Sequence, residues 1–232
     1  MPDQVAIVTG GAGDVGRGVC RALSAAGVAV AALDLDVSKV DGAELALECD
    51  VTDHNACAQA VDAVASQLGG VSTLVNMAQA MLAGTPLLDL SARDMRTEFE
   101  SGPNATLRMM QLCYPHLKAR GGGAIINFAS GAGTYGLPGL GAYAAAKEAI
   151  RGLTKVAAME WGRDNIRVNA ICPVATSDHT ADWVSQAVAV SPMGRVGDPE
   201  TDIGAVVVFL AGPGAFINGR TLQVDGGSGA WR

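Results

Sequence analysis

Apolar side chains along this chain fall into two rhythms that alternate from end to end. Continuous apolar runs at 4–9, 28–33, 72–76, 124–128, 167–171 and 221–224 have strand length and little polar alternation, as strands covered on both faces do. A weaker run at 43–47 reads as a further strand. Between the runs the spacing turns helical. At 16–26, Val19, Leu23 and Ala26 share one face before Gly27 ends the helix, and helical stretches follow at 55–68, 92–118, 143–161 and 199–210. This alternation predicts an α/β fold, a doubly wound parallel sheet with helices on both faces. No linker, low-complexity tract or internal repeat divides the sequence, so residues 1–232 are read as a single domain.

One crossover breaks the rhythm. The second strand closes at Asp34, and only eight residues separate it from Ala43. A parallel crossover ordinarily takes about a dozen residues or more and carries a helix. This flank of the sheet is therefore expected to be thinly covered.

Composition narrows the function. Hydrophobic residues make up 49% of the 232 and aromatics only 4%, so the core must be built from small side chains at close backbone approach. A net charge of −7 with no Lys/Arg cluster argues against nucleic acid or an anionic membrane as a partner. The five cysteines are odd in number and scattered, which fits reduced thiols in the cytoplasm. The three histidines stand far apart, so no metal site is expected. The uncharged run at 121–146 holds eight glycines and a proline, unlike a membrane-spanning helix. The chain opens almost directly into a strand, leaving no room for a signal peptide.

The turn after the first strand reads Thr9-Gly10-Gly11-Ala12-Gly13-Asp14-Val15-Gly16, and Asp34 stands eighteen residues beyond Gly16. Gly11, Gly13 and Gly16 meet the spacing G-x-G-x-x-G. Glycines let backbone approach a pyrophosphate, the helix N-terminus adds N–H donors, and a carboxylate at that distance accepts from a ribose hydroxyl. The glycines alone would fit any tight turn. With a strand before, a helix after and the acid in place, they favour a Rossmann-type dinucleotide site. Asp34 would repel a 2′-phosphate, and Leu35 and Asp36 offer no basic clamp, so NAD is expected rather than NADP.

Tyr143 and Lys147 are four residues apart on a predicted helix and share a face, with Ser130 thirteen residues before the tyrosine. Each alone is ordinary: a helix tyrosine, a solvated lysine, a turn serine. Together they can move a proton on or off a carbonyl or alcohol oxygen, the ammonium favouring the phenolate and the serine holding the oxygen.

These residues together resemble the short-chain dehydrogenase/reductase family over essentially the whole chain. Thr9, Gly10 and Gly16 match its glycine turn, and Asp50-Val51 its dipeptide beside the adenine. Asn76-Met77-Ala78-Gln79 stands for its Asn-Asn-Ala-Gly, and Ser130, Tyr143 and Lys147 for its catalytic residues. Arg167-Val168-Asn169, Pro173, Pro192-Met193-Gly194-Arg195, Pro199-Glu200, Gly219 and Val224-Asp225-Gly226-Gly227 follow in the family's order. The resemblance implies hydride transfer between NAD and a small carbonyl or secondary alcohol in a homodimer or homotetramer. It implies cofactor contacts from Gly10, Gly13, Asp14, Val15 and Gly16, from Asp34, Asp50 and Val51, and from Asn76, Ala78, Tyr143, Lys147 and Pro173. The long helices are the expected interface, through Ala145, Ala149, Gly152 and Val156 on one and Leu107, Met110, Cys113 and Tyr114 on the other.

Four departures stand out. Asp14 replaces the turn's middle glycine, Gln79 replaces a glycine, and Met77 an asparagine. Gly102 occupies the place of the family's fourth catalytic residue, an asparagine, with Asn104 two residues late. Pro103 is expected to interrupt the helix there and leave a carbonyl free near Lys147. The segment 173–194 is short for the family's substrate-covering loop, with Trp183 its expected lid residue. Asp14, Gly102 and Gln79 motivate a rival reading, a binding or scaffold protein without turnover; a third reading keeps the cofactor and the Tyr143/Lys147 pair but runs a non-redox step such as elimination or cyclisation.

Overall fold

The computed structural model describes residues 4–178, 180, 182–212 and 216–229. In chain order the elements are β1 (Val5–Thr9), α1 (Asp14–Ala25), β2 (Ala29–Asp34), β3 (Leu45–Glu48), α2 (His54–Leu68), β4 (Thr73–Asn76) and α3 (Ala92–Phe99). A π-helical turn (Glu100–Asn104) leads into α4 (Ala105–Ala119), then β5 (Gly123–Phe128), α5 (Gly131–Tyr135), α6 (Gly141–Trp161) and β6 (Ile166–Pro173). α7 (Asp182–Val190), a second π-helical turn (Pro199–Gly204), α8 (Ala205–Ala211) and β7 (Thr221–Val224) complete the described chain. The seven strands are parallel, in the order β3-β2-β1-β4-β5-β6-β7. Strand order reverses between β1 and β4, where a doubly wound sheet opens a crevice at its carboxyl edge.

The apolar runs form strands because both faces of each are covered. Val5 and Ile7 of β1 join one core with α2, α4 and α6, through Val61, Met110, Cys113 and Ala157. Ala6 and Val8 point the other way, into a core with Val19 and Leu23 of α1 and Val207 and Leu210 of α8. The scarcity of large side chains is met by backbone contact. A Cβ on Gly18 would lie 2.5 Å from Pro199, and one on Gly204 2.4 Å from Ala22. α1 and the second π-helical turn thus touch through glycine.

The short crossover holds a single 3-10 turn, Val37–Lys39, with Asp36 accepting from Ser38 N at 2.9 Å. Leu35 is left exposed and β3 is an edge strand with alternating exposure, so this flank is bare.

The stretch 92–118 departs from expectation. Pro103 does not break the helix; the chain widens into the π-helical turn and continues as α4. A proline lacks the N–H that would close a normal turn, and its ring crowds the carbonyl four residues back, so one extra residue per turn relieves both. α5 and α7 lack a sequence signal: α5 is a five-residue turn with two glycines, and α7 carries no clear apolar stripe.

The centre of the sheet carries a buried amide network. Asn76 Nδ2 donates to Asn127 Oδ1 at 2.9 Å, Asn127 Nδ2 to Thr154 Oγ1 at 2.9 Å, and Thr154 Oγ1 to the Ile150 carbonyl at 2.8 Å. The chain of bonds ties β4, β5 and α6 together at one depth. Asn127→Leu would leave the Asn76 amide without its acceptor. Urea unfolding is expected to show a loss of about 1–3 kcal/mol; unchanged stability would mean the network is not what fixes α6 on the sheet.

Candidate active site

A cleft of about 950 Å³ opens at the carboxyl ends of β1 to β4. Its floor is the glycine turn. Gly10 takes the left-handed conformation at φ +73°, and a Cβ on Gly16 would lie 2.0 Å from the Gly10 carbonyl oxygen, so the turn folds back on itself as only glycine permits. Gly11 packs outward on β2, where a Cβ would lie 2.7 Å from that of Ala32. The turn is pinned by Gly10 N and Gly11 N on the Leu33 carbonyl, at 2.7 and 3.2 Å, and by Ala12 N on Asp34 Oδ2, at 2.9 Å. Thr9 Oγ1 accepts from Met77 N and Ala78 N, at 3.0 and 3.2 Å, closing the end of β1 against that of β4. This bare backbone cradle beside a helix N-terminus fits a dinucleotide pyrophosphate.

Gly10, Gly13, Val15 and Gly16 line the cleft, with Asp34, Asp50, Val51 and Ala78. Asn76, Tyr143, Lys147 and Pro173, also expected to contact the cofactor, are not among its lining residues, and neither is Ser130; the amide of Asn76 is held by Asn127 beneath. Asp14 is a correction. Its carboxylate turns out of the cleft to the segment after β6, accepting from Thr176 Oγ1 at 2.8 Å, from Ser177 N at 2.8 Å and from the Ser177 hydroxyl. Nor does it cap α1, whose N-cap is Gly13. Burial pushes the Asp14 carboxyl up, but the bonds from Ser177 and Thr176 and the Arg17 charge outweigh it and hold it below the usual carboxylate range. Arg17 is committed to the same turn, donating to the Ala12 carbonyl at 3.0 Å with Nη2 3.7 Å from Asp14.

Ser130, Tyr143 and Lys147 come together beyond the end of β5. Ser130 is the N-cap of α5, its hydroxyl oxygen accepting from Ala132 N at 3.1 Å, and the same hydroxyl acts on the Tyr143 phenol in favour of the phenolate. Lys147 is buried, its Nζ 5.4 Å from the centroid of the Tyr143 ring and donating to the Phe128 carbonyl at 2.7 Å. That carbonyl belongs to β5, not to the π-helical turn where a free one was expected. Burial lowers the Lys147 ammonium to about 8, against the opposing influence of Glu98. Tyr143 departs from expectation too. Burial raises its phenol above the ordinary value despite the Ser130 hydroxyl, with Glu98 adding to the rise. The neighbouring ammonium does not reverse this in the free protein.

Around the departures at 79 and 102 the structure shows contacts that sequence could not. Asn104 is exposed, its amide donating to Glu100 Oε1 at 2.9 Å, and takes no part in the site. The Gln79 amide lies against Gly102, where a Cβ would be 2.8–2.9 Å from its three terminal atoms. Arg93, Arg96, Thr97 and Ser101 line the cleft's far wall; none carries a motif that would mark it in the sequence. Met110 and Cys113 are buried in the core, so they are not available to an interface. Gly152 and Val156 of α6 remain exposed, as does Met159. Trp183 sits on α7, half-exposed. Among the described residues no acidic, histidine or cysteine cluster could hold a metal, and no helix is long and apolar enough to cross a membrane.

Residues 10–229 match a family model described as enoyl-(acyl carrier protein) reductase. The chain is 39% identical over 251 residues to a 12alpha-hydroxysteroid dehydrogenase of a Clostridium species, covering 97% of this chain and 96% of that protein. Its fold superposes with a TM-score of 0.91 on a short-chain type dehydrogenase/reductase from Mycobacterium ulcerans, at 27% identity over 98% of this chain and 90% of that one. A 3-ketoacyl-(acyl-carrier-protein) reductase from Brucella melitensis, solved with NADH, matches with a TM-score of 0.91 at 28% identity, covering 98% of each chain.

The Asp14 bonds predict a local effect. Asp14→Ala should release the segment 176–178 from the glycine turn and speed hydrogen exchange at the Ser177 amide by roughly tenfold or more, since bonds to a charged group contribute about 1.5–3 kcal/mol. An unchanged exchange rate would show that other contacts hold the segment.

Proposed function

The chain belongs to the short-chain dehydrogenase/reductase family, and we propose that it is an NAD-dependent member with Ser130, Tyr143 and Lys147 as its catalytic residues. It is an oxidoreductase that transfers a hydride between a nicotinamide cofactor and a carbonyl or secondary alcohol. The observation that carries the proposal is the buried ammonium of Lys147, 5.4 Å from the centre of the Tyr143 ring. No feature favours the scaffold or non-redox readings over this one.

Bound in the cleft, the nicotinamide dinucleotide supplies or accepts the hydride. Gly10, Gly13, Val15 and Gly16 would hold its pyrophosphate, Asp34 a ribose hydroxyl, and Asp50 and Val51 the adenine end. In the reductive direction the Tyr143 phenol gives its proton to the substrate oxygen as the carbon gains hydride. The Ser130 hydroxyl, already fixed by Ala132 N, donates to the same oxygen and polarises it. Lys147 stabilises the phenolate that remains and offers its free N–H bonds to a ribose hydroxyl. In the oxidative direction the phenolate takes the alcohol proton.

NAD is favoured over NADP because Asp34 lines the cleft with both carboxylate oxygens held by backbone N–H groups, and Arg17 is turned to its own turn. The substrate is a small carbonyl compound or secondary alcohol. We place the enzyme in the cytoplasm, on the strength of five cysteines that are all buried and unpaired. We also assign it a homodimeric or homotetrameric state built on the exposed small-residue face of α6.

Three outcomes test this. Tyr143→Phe is expected to cut turnover roughly 10²–10⁴-fold while nucleotide binding persists; near-normal turnover would assign the proton to another group. Calorimetry should show NADH binding roughly tenfold or more tighter than NADPH, because like charges brought together cost several kcal/mol; the reverse order would remove the role given to Asp34. Lys147 acts as an ammonium, so kcat/KM for ketone reduction should be flat at neutral pH and fall as pH rises through about 8, where that proton is lost. A rate that holds steady up to pH 10 would contradict it.

A further inference from the structure

Glu98, on the last turn of α3, has no part in the chemistry above, yet it is fully buried. Among the described residues it forms no ion pair. Its two oxygens are held by neutral donors from the loop after β4. Oε1 accepts from Leu82 N at 2.5 Å and Oε2 from Gln79 Nε2 at 2.9 Å. Gln79 reaches it only because residue 102 has no side chain: its carboxamide fills the space that a Cβ there would occupy. The other end of that amide, Gln79 Oε1, is buried without a partner. A lone carboxylate in the interior is costly, and an unpartnered amide oxygen beside it adds to the cost.

α3 and the first π-helical turn both pack on α6, the helix that carries Tyr143 and Lys147. The titratable groups acting on Lys147 from these surroundings are Glu98 on α3 and Cys172 on β6, and the same two act on Tyr143. Burial pushes the Cys172 thiol up to about 11, so it is neutral at pH 7 and brings no charge. Glu98 is left as the negative group of the pair.

We propose that Glu98, fixed by Gln79 in the space left open at Gly102, is a positioning residue for the Tyr143–Lys147 pair, its buried negative charge holding Lys147 as an ammonium. A buried ammonium without a counter-charge sheds its proton; a carboxylate held in the interior by Gln79 and Leu82 opposes that. The same charge resists ionisation of Tyr143, keeping the phenol protonated and ready to donate. The bare residue at 102 and the long one at 79 are then two halves of one device. The inference rests on the roles given above to Tyr143 and Lys147.

The test uses the full chain and two readouts. Tyrosine ionisation is followed in the free protein by ultraviolet difference titration, with Tyr143→Phe identifying the Tyr143 transition. The alkaline limb of kcat/KM is measured with NADH and the best ketone of a panel. Glu98→Gln removes the charge at constant shape, and a flip of the Gln79 carboxamide turns its unpartnered Oε1 to accept from the new amide. Both the Tyr143 midpoint and the alkaline limb should move to lower pH by about half a unit, a roughly threefold loss of proton affinity. Glu98→Asp, which keeps the charge, should leave both near their wild-type positions. Should Glu98→Gln fail to fold, Glu98→Met gives the same two shifts, since an apolar chain of similar volume is often tolerated in place of a buried ion. A folded charge-free variant with both transitions unmoved overturns the proposal and leaves Glu98 as an anchor for the loop at 79–82. Full turnover in Tyr143→Phe would instead overturn the underlying assignment of Tyr143, a result the Glu98 variants cannot produce.

Discussion

A buried ammonium organises this molecule. Taking a lysine charge out of water costs several kcal/mol unless its surroundings compensate, so whatever surrounds Lys147 must be held in place. The compensation begins with the Phe128 carbonyl at the end of β5. Because that carbonyl is the last of the strand, the chain leaving it delivers Ser130 two residues later, at the start of α5 and against Tyr143. α6 must then lie on the sheet at one depth, which the bonds from Asn76 through Asn127 to Thr154 set independently. Ser130, Tyr143 and Lys147 are thus positioned by the same contacts that seat α6.

The nucleotide half of the site depends on absence rather than presence of side chains. Its turn approaches itself and β2 at distances no Cβ would allow, and α1 meets the second π-helical turn in the same way. The side facing α6 uses absence as well, at Gly102, where a missing side chain lets Gln79 reach a buried acid. The π-helical turn belongs to the same solution: it accommodates Pro103 without ending the helix, so α3 and α4 still pack as one rod against the sheet and α6.

Much of this was legible in the order of residues. The strands, the glycine turn with Asp34, and the Tyr143–Lys147 spacing are local patterns, and local patterns survive folding. What could not be read depends on contacts between residues distant in sequence or on the outcome of competing terms. Asp14 stands in a cofactor turn, yet its partners, Thr176 and Ser177, lie some 160 positions away, as their separations of 162 and 163 show. Met110 and Cys113 are apolar on a long helix, and only packing tells that they face the core. The spacing of Tyr143 and Lys147 was legible; the burial that raises the Tyr143 phenol was not. Glu98 carries no motif and sits in a charged helix, so its burial appears only when the loop at 79–82 is folded over it.

The thin crossover after β2 separates two kinds of change. Leu35 and the single turn at Val37–Lys39 stand outside both cores, with no helix to hold them to the sheet. Substitutions there alter the rim beside Asp34 without disturbing the packing that seats α6 or the groups around Lys147. Selection can therefore vary this rim in small, separable steps, while the packing around Lys147 is inherited intact. The end around Lys147, bound to the core through a buried charge and an amide network, has no such freedom and must change several residues at once or not at all.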